Sequence, residues 1–167
     1  GHFMRCLTLA DALRERGAEL LFITRKHEGN LITLLKQRKI PVRVLPVPVQ
    51  IAEDTENEDY ENWLGVTQAE DADQTIKALN GEKPDWLVID HYGLDVDWEK
   101  RIRQYVGKIM VIDDLANRQH DCDILLDQNW FGIEANSRYD QLIPRYCAPL
   151  LGPSFALLSK DYKIIIT

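Results

Sequence analysis

The chain has 167 residues, with 27 acidic and 20 basic side chains and a formal charge of −7. That length suits one domain burying about two-thirds of its unfolded surface, enough for a core without metal or disulfide staples. The acidic balance argues against a general nucleic-acid binder, and apolar runs as short as Leu20 to Ile23 argue against a membrane span. From Phe3 to Arg16, Leu7, Ala10 and Leu13 fall on one side with Cys6 and Leu9 nearby, and Arg5, Asp11, Arg14 and Glu15 mostly on the other. This is an amphipathic helix that Gly17 stops. Glu19 to Thr24 reads as a buried strand, Asn30 to Arg38 as a second helix ended by Pro41, and Val42 to Leu45 as a short strand. Pro46 to Glu61, with its acidic run Glu53 to Asp59, reads as a solvated surface loop. Helical spacing returns from Trp63 to Leu79. The apolar runs Trp86 to Ile89, Ile109 to Ile112 and Ile124 to Leu126 then read as strands covered on both faces, with a helix from Val96 to Val106 between the first two. Alternation at this spacing predicts an α/β fold: a Rossmann-like, open, mainly parallel sheet with helices on both faces.

Ligands of such sheets bind beyond the carboxyl ends of the strands. Four polar clusters directly follow apolar strands here: Thr24-Arg25, Asp90-His91-Tyr92, Asp113-Asp114 and Asp127-Gln128-Asn129. Gly1-His2 precedes the first helix, whose free N–H groups suit phosphate, and a neutral imidazole there can take a proton from water. As a bare dipeptide, Gly1-His2 reads equally as a cloning remnant. Asp113-Asp114 reads either as paired carboxylates for acid–base work or as a loop in which one aspartate accepts backbone N–H bonds. Asp121-Cys122-Asp123 matches a D-x-D pattern, but it enters a strand, where one aspartate serves as a cap. His120 lies beside Cys122 without a second ligand pair at zinc spacing, and His27 sits in a polar loop. No metal and no cofactor is expected. Cys6, Cys122 and Cys147 read as reduced, buried thiols of a cytoplasmic protein. Trp63, Trp86 and Trp98 read as core, with Trp130 undecided. No G-x-G-x-x-G, phosphate-loop lysine or G-x-S-x-G motif is present.

Taken together, four stretches resemble the UDP-sugar hydrolases of pseudaminic acid biosynthesis. They are Gly1 to Leu13, Asp90 to Asp95, Val111 through His120 to Asn129, and Leu150 to Leu158. Order and spacing match from residue 1 to about residue 162. The D-H-Y-G turn and the long D-D to D-Q-N stretch are the most specific parts. The resemblance implies a two-domain GT-B architecture. It also implies metal-independent hydrolysis, with inversion, of the anomeric C–O bond of a UDP-linked 2,4-diacetamido-2,4,6-trideoxy sugar. The family's catalytic histidine maps onto His2 and the tyrosine of its D-H-Y-G turn onto Tyr92. Gly1, Arg5, Asp90, His91, Asp113, Asp114 and Asn129 are the expected substrate-binding residues.

The sequence departs from the family pattern at both ends. The family opens with a strand and a glycine-rich loop ahead of the G-H pair, and it continues into a nucleotide-binding C-terminal domain. Residues 1–162 are therefore expected to be the sugar-side domain. Lys163 to Thr167 resembles the opening strand of the second domain, or fills the position of the first strand. The expected partners are the UDP-sugar and that second domain, with no nucleic acid and no membrane, and the isolated chain is expected to be inactive. Two other readings stand beside this one: a GT-B glycosyltransferase whose rim binds an acceptor, and an inert sugar-binding module.

Overall fold

The computed structural model describes residues 2–25, 32–48, 63–132 and 137–159. Ten elements follow in chain order: α1 (His2–Arg14), β1 (Phe22–Arg25), α2 (Ile32–Gln37), β2 (Val42–Leu45), α3 (Gln68–Leu79), β3 (Trp86–Ile89), α4 (Val96–Ile102), β4 (Lys108–Ile112), β5 (Ile124–Asp127) and β6 (Ala148–Leu151). Among the described residues, every strand pairing is parallel. The strands form two ladders, β1-β2 and β3-β4-β5-β6, in a mixed α/β arrangement of Rossmann-like character. The expected single sheet is thus two hydrogen-bonded sheets among the described residues. Strand β6 was not anticipated, because Ala148-Pro149-Leu150-Leu151 is short and carries a proline. That proline fits because β6 stands at the end of its sheet.

Local chemistry explains the boundaries. Thr67 caps α3 by accepting the Glu70 N–H at 3.2 Å, and Glu70 and Asp71 follow in the first turn, where the helix dipole favours acids. This cap starts the helix at Gln68 rather than at Trp63 as the spacing predicted. Asn80, in the left-handed region at φ 52°, closes it. Asp95 caps α4 through the Asp97 N–H at 2.9 Å. Gly107 admits close backbone approach at the entry to β4: a Cβ there would lie 2.5 Å from the Asp85 carbonyl oxygen.

One core, including Ala72, Leu79, Trp98, Ile102, Ile109, Val111 and Leu125, packs α3 and α4 on the four-stranded sheet. A smaller one joins Leu7 of α1, Leu35 of α2 and Ile40. Ile23 of β1 packs against the larger core, so the two sheets share apolar contact. Polar groups tie them as well. Arg25, at the end of β1, donates to Asp71 of α3 at 2.6 Å and to the Pro46 carbonyl at 2.6 Å. Asp71 also accepts the Trp98 indole N–H at 3.0 Å. Arg25 is buried, so the Thr24-Arg25 pair serves the core rather than an open rim. Two of the three tryptophans read as core are not: Trp63 is 56% exposed and Trp86 44%, whereas Trp98 is 4% exposed. Trp86 begins β3, where its ring lies under the Lys108 ammonium at 5.4 Å. Among the described residues, no helix is long and apolar enough to cross a membrane. The acidic run from Glu53 to Asp59, His27 and the tail from Lys163 to Thr167 lie outside the described residues.

Candidate functional site

The carboxyl ends of β3, β4 and β5 and the amino end of α1 meet at one place. Asp90 follows β3 directly and lies nearly buried, its side chain 3% exposed. It accepts the Arg5 Nε–H at 2.7 Å and the Arg5 Nη2–H at 2.6 Å, a two-pronged guanidinium–carboxylate pair. The same carboxylate lies 2.5 Å from His2 Nδ1 and accepts the Cys6 thiol at 3.4 Å. His2, Arg5 and Cys6 all belong to α1, whose first turn and a half therefore hangs on one acid. Burial pushes the Asp90 carboxyl up, but the bonds from Arg5 and His2 outweigh it and hold the group below the ordinary aspartate range. The Arg5 guanidinium is held firmly charged by Asp90, and burial keeps the Cys6 thiol protonated.

An ionised carboxylate only accepts, so His2 Nδ1 is the donor in the 2.5 Å contact. Arg5 Nη2 also lies 3.2 Å from Nδ1, but Nδ1 carries the proton given to Asp90 and has no lone pair to accept with, so this is a close approach and not a hydrogen bond. In the neutral ring, Nε2 then carries the lone pair. The His2 side chain is 35% exposed, and no described residue bonds Nε2. The imidazole is thus fixed at one nitrogen and open at the other, which is the arrangement a general base needs.

Tyr92 meets His2 edge-on, with ring centroids 4.4 Å apart and planes 81° apart. Its hydroxyl donates to Asp114 Oδ1, and its contact with His2 is made by the rings. Burial, then the bond to Asp114, pushes the phenol up to about 12. Asp114 is a hub: it also accepts Arg5 Nη1 at 3.4 Å and Asn129 Nδ2 at 3.3 Å, and its backbone carbonyl accepts Arg138 Nη2 at 2.9 Å. Trp63 lies 6.3 Å from the Tyr92 ring, centroid to centroid.

The structure therefore brings together six of the nine residues singled out from the sequence: His2, Arg5, Asp90, Tyr92, Asp114 and Asn129. His91 turns to its own loop, where Nδ1 accepts the Gly93 N–H at 3.0 Å. Asp113 points inward. It accepts the Ala116 N–H at 3.0 Å and the Tyr139 hydroxyl at 3.1 Å, with no side-chain exposure. Of the two readings of Asp113-Asp114, the first aspartate organises the loop and the second faces the histidine cluster. Gly1 lies outside the described residues. Asp121 and Asp123, the D-x-D pair, are occupied by Arg103, and Asp123 also accepts the Ile109 N–H at 2.8 Å, a strand-entry cap. Among the described residues, no three His, Cys, Asp or Glu side chains are grouped to hold a metal.

The sequence reading passed over Arg118, Arg138 and Tyr139. Arg118 pairs with Asp113 at 3.0 Å, donates to the Leu94 carbonyl at 2.9 Å and places its guanidinium 5.8 Å from the Tyr92 ring centre. It sits within the D-D to D-Q-N stretch, between two rim clusters, and that position is the signal that could have found it. Arg138 and Tyr139 return from a separate segment, and no local pattern marks them. A cleft of about 420 Å³ opens at the opposite end of β1 and β2, lined by Leu20, Leu21, Ile40, Pro41 and Arg43 among others. It shares no residue with the histidine cluster.

No family model matches the chain. Among curated proteins it is 39% identical over 90 residues to the UDP-2,4-diacetamido-2,4,6-trideoxy-beta-L-altropyranose hydrolase of Campylobacter jejuni, a match covering 53% of this chain and 32% of that protein. An uncharacterized protein of Methanocaldococcus jannaschii is 27% identical over 114 residues, covering 68% of this chain and 18% of that protein. The chain is related to the Campylobacter hydrolase, and it spans about a third of that relative's length.

Proposed function

We propose that this chain is the sugar-side domain of a nucleotide-sugar hydrolase, and that His2 is its general base. The observation that carries the reading is the His2–Asp90–Arg5 constellation at the start of α1, on the carboxyl rim of a parallel sheet. The substrate class is a UDP-linked 2,4-diacetamido-2,4,6-trideoxy sugar, as the name of the related hydrolase suggests. Water held at His2 Nε2 loses its proton as it attacks the anomeric carbon. The C1–O bond breaks on the opposite face, and the sugar leaves with inverted configuration.

Each neighbour has a part in that step. Asp90 keeps the ring oriented with Nε2 outward and stabilises the imidazolium that forms. Arg5 keeps Asp90 ionised and fixed in place, so the developing positive charge on the histidine meets a carboxylate that accepts without moving. Tyr92 limits rotation of the ring, and Asp114 fixes Tyr92. UDP departs as a stable diphosphate, so a strong general acid is unnecessary, and the free N–H groups at the start of α1 favour its negative charge. The reaction routes through no metal or cofactor. In this reading, a GT-B partner domain outside the present sequence grips the nucleotide.

The test is UDP release by the full-length protein supplied with the UDP-linked diacetamido sugar and no acceptor. Steady release into water supports hydrolysis. Release only on addition of an acceptor supports a glycosyltransferase, and binding without release supports an inert module. His2→Ala is expected to stop release while leaving the circular dichroism spectrum and melting midpoint near those of the parent.

A further inference from the structure

Cys122 lies two residues before β5, and Cys147 lies one residue before β6. These strands are parallel neighbours, with Ile124 opposite Ala148, and the Ala148 N–H donates to the Asp123 carbonyl at 2.9 Å. The register brings the two thiols into contact: Sγ lies 3.5 Å from Sγ, and both cysteines are free. Both belong to the larger core; Cys122 is fully buried and Cys147 is 8% exposed. Two sulfurs held this close on adjacent backbones need only a small approach to reach bonding distance. The third cysteine, Cys6, sits in the histidine cluster, where its thiol donates to Asp90.

We propose that Cys122 and Cys147 are an oxidation site that closes reversibly to a disulfide when the protein meets a hydroperoxide. Cys147 is the attacking sulfur. It is the more exposed of the two. With Cys122 as the donor of the shared S–H···S contact, the Cys147 thiolate is favoured and Cys122 stays protonated. The Cys147 sulfur attacks the peroxide, forming an S–O bond and breaking the O–O bond, with hydroxide or alkoxide leaving. Cys122 then attacks the Cys147 sulfur. The S–S bond forms, the S–O bond breaks, and the departing hydroxide takes the Cys122 proton as water. Two thiols lose two electrons and two protons, and the peroxide takes them up. The new bond closes the segment that carries Asn129, Arg138 and Tyr139, so oxidation stabilises the chain segment that returns to the Asp113-Asp114 turn.

The experiment treats the purified chain with hydrogen peroxide and follows intact mass, free-thiol count and a peptide map. The expected result is a loss of 2 Da, loss of two thiols mapped to a Cys122–Cys147 peptide pair, and full reversal by dithiothreitol. The melting midpoint should rise by roughly 5–15 °C, as a cross-link of this span predicts. Cys122→Ser should leave a sulfenic acid at Cys147 that a dimedone probe captures, and Cys147→Ser should abolish both products. Three thiols persisting after peroxide, or a disulfide mapped to Cys6 or between two copies of the chain, would overturn the proposal. If a serine variant fails to fold, the peptide map of the parent chain decides alone.

Discussion

The histidine–carboxylate pairs His2–Asp90 and His120–Glu99 differ in what surrounds them. His2 Nδ1 lies 2.5 Å from Asp90, and His120 Nδ1 lies 2.7 Å from Glu99. Taken as hydrogen bonds, the two are equivalent. Yet the His2 side chain is 35% exposed, while His120 and Glu99 have no side-chain exposure at all. The second acceptor of Glu99 takes the Asp121 N–H at 2.5 Å. His120 Nε2 lies 3.9 Å from Asp113, beyond a hydrogen bond and out of reach of solvent. One pair is thus open at the nitrogen that chemistry would use. The other is sealed beneath the same rim and ties α4 to the approach of β5. A paired carboxylate orients a histidine in both settings, and access to the remaining nitrogen separates a candidate base from a strut.

The two pairs should therefore fail in opposite ways when broken. His2→Ala in the full-length protein is expected to lower UDP release by about 10²–10⁴-fold, the usual contribution of a positioned base, with little change in melting midpoint. Turnover retained within tenfold would remove His2 from the mechanism. Glu99→Ala should do the reverse. It leaves the buried His120 Nδ1 and the part-buried Asp121 N–H without their acceptor, a defect that costs about 1–3 kcal/mol by chemical denaturation. Activity per folded molecule should be far less affected than in His2→Ala. If Glu99→Ala left stability unchanged, the buried pair would not be the strut described.

How much of this was legible in the sequence follows from the same contrast. The strands Trp86 to Ile89, Ile109 to Ile112 and Ile124 to Leu126 were readable because continuous apolar runs mark burial on both faces, and the rim acids stood out because they follow those runs directly. Direction was not readable. Asp113 and Asp114 are adjacent and chemically identical, but one accepts Ala116 and Tyr139 inside the core and the other accepts Tyr92 and Arg5 at the surface. Likewise, His120 looked like a lone histidine beside a cysteine, because its partner Glu99 comes from another helix. Trp63 was misassigned for a related reason: it lies ahead of the Thr67 cap, outside the helix into which the spacing placed it. Sequence spacing reports periodicity within an element. It carries little about which neighbouring element a polar side chain meets.

Acid should sharpen the comparison further. The Asp90 carboxyl is held below its ordinary range in the folded chain, with burial opposing and Arg5 and His2 prevailing. A group depressed by folding contributes stability that is fully present above its unfolded value, about 4, and is lost as pH falls through the lower folded value. Asp90→Asn is expected to lower stability at neutral pH and to flatten the acid limb of a denaturation profile below about pH 4. An unchanged acid limb would mean that the Arg5 and His2 bonds to Asp90 do not persist in solution.

Alkali gives the smallest effect, with the sign reversed. Tyr92 is pushed up to about 12 by burial and by its bond to Asp114. A phenol loses a favourable contact on ionising, so the stabilisation is complete below its unfolded value near 10 and disappears as pH rises through about 12. Tyr92→Phe keeps the ring that meets His2 edge-on and deletes only the hydroxyl that reaches Asp114. The parent should therefore lose stability between pH 10 and about 12 more steeply than the variant, followed by urea denaturation at fixed ionic strength. The same variant should keep most of its UDP release, because the histidine remains oriented by the ring and by Asp90. A variant inactive at neutral pH would instead place the Tyr92 hydroxyl in contact with the reacting atoms, and Asp114 would then be the group that holds it ready.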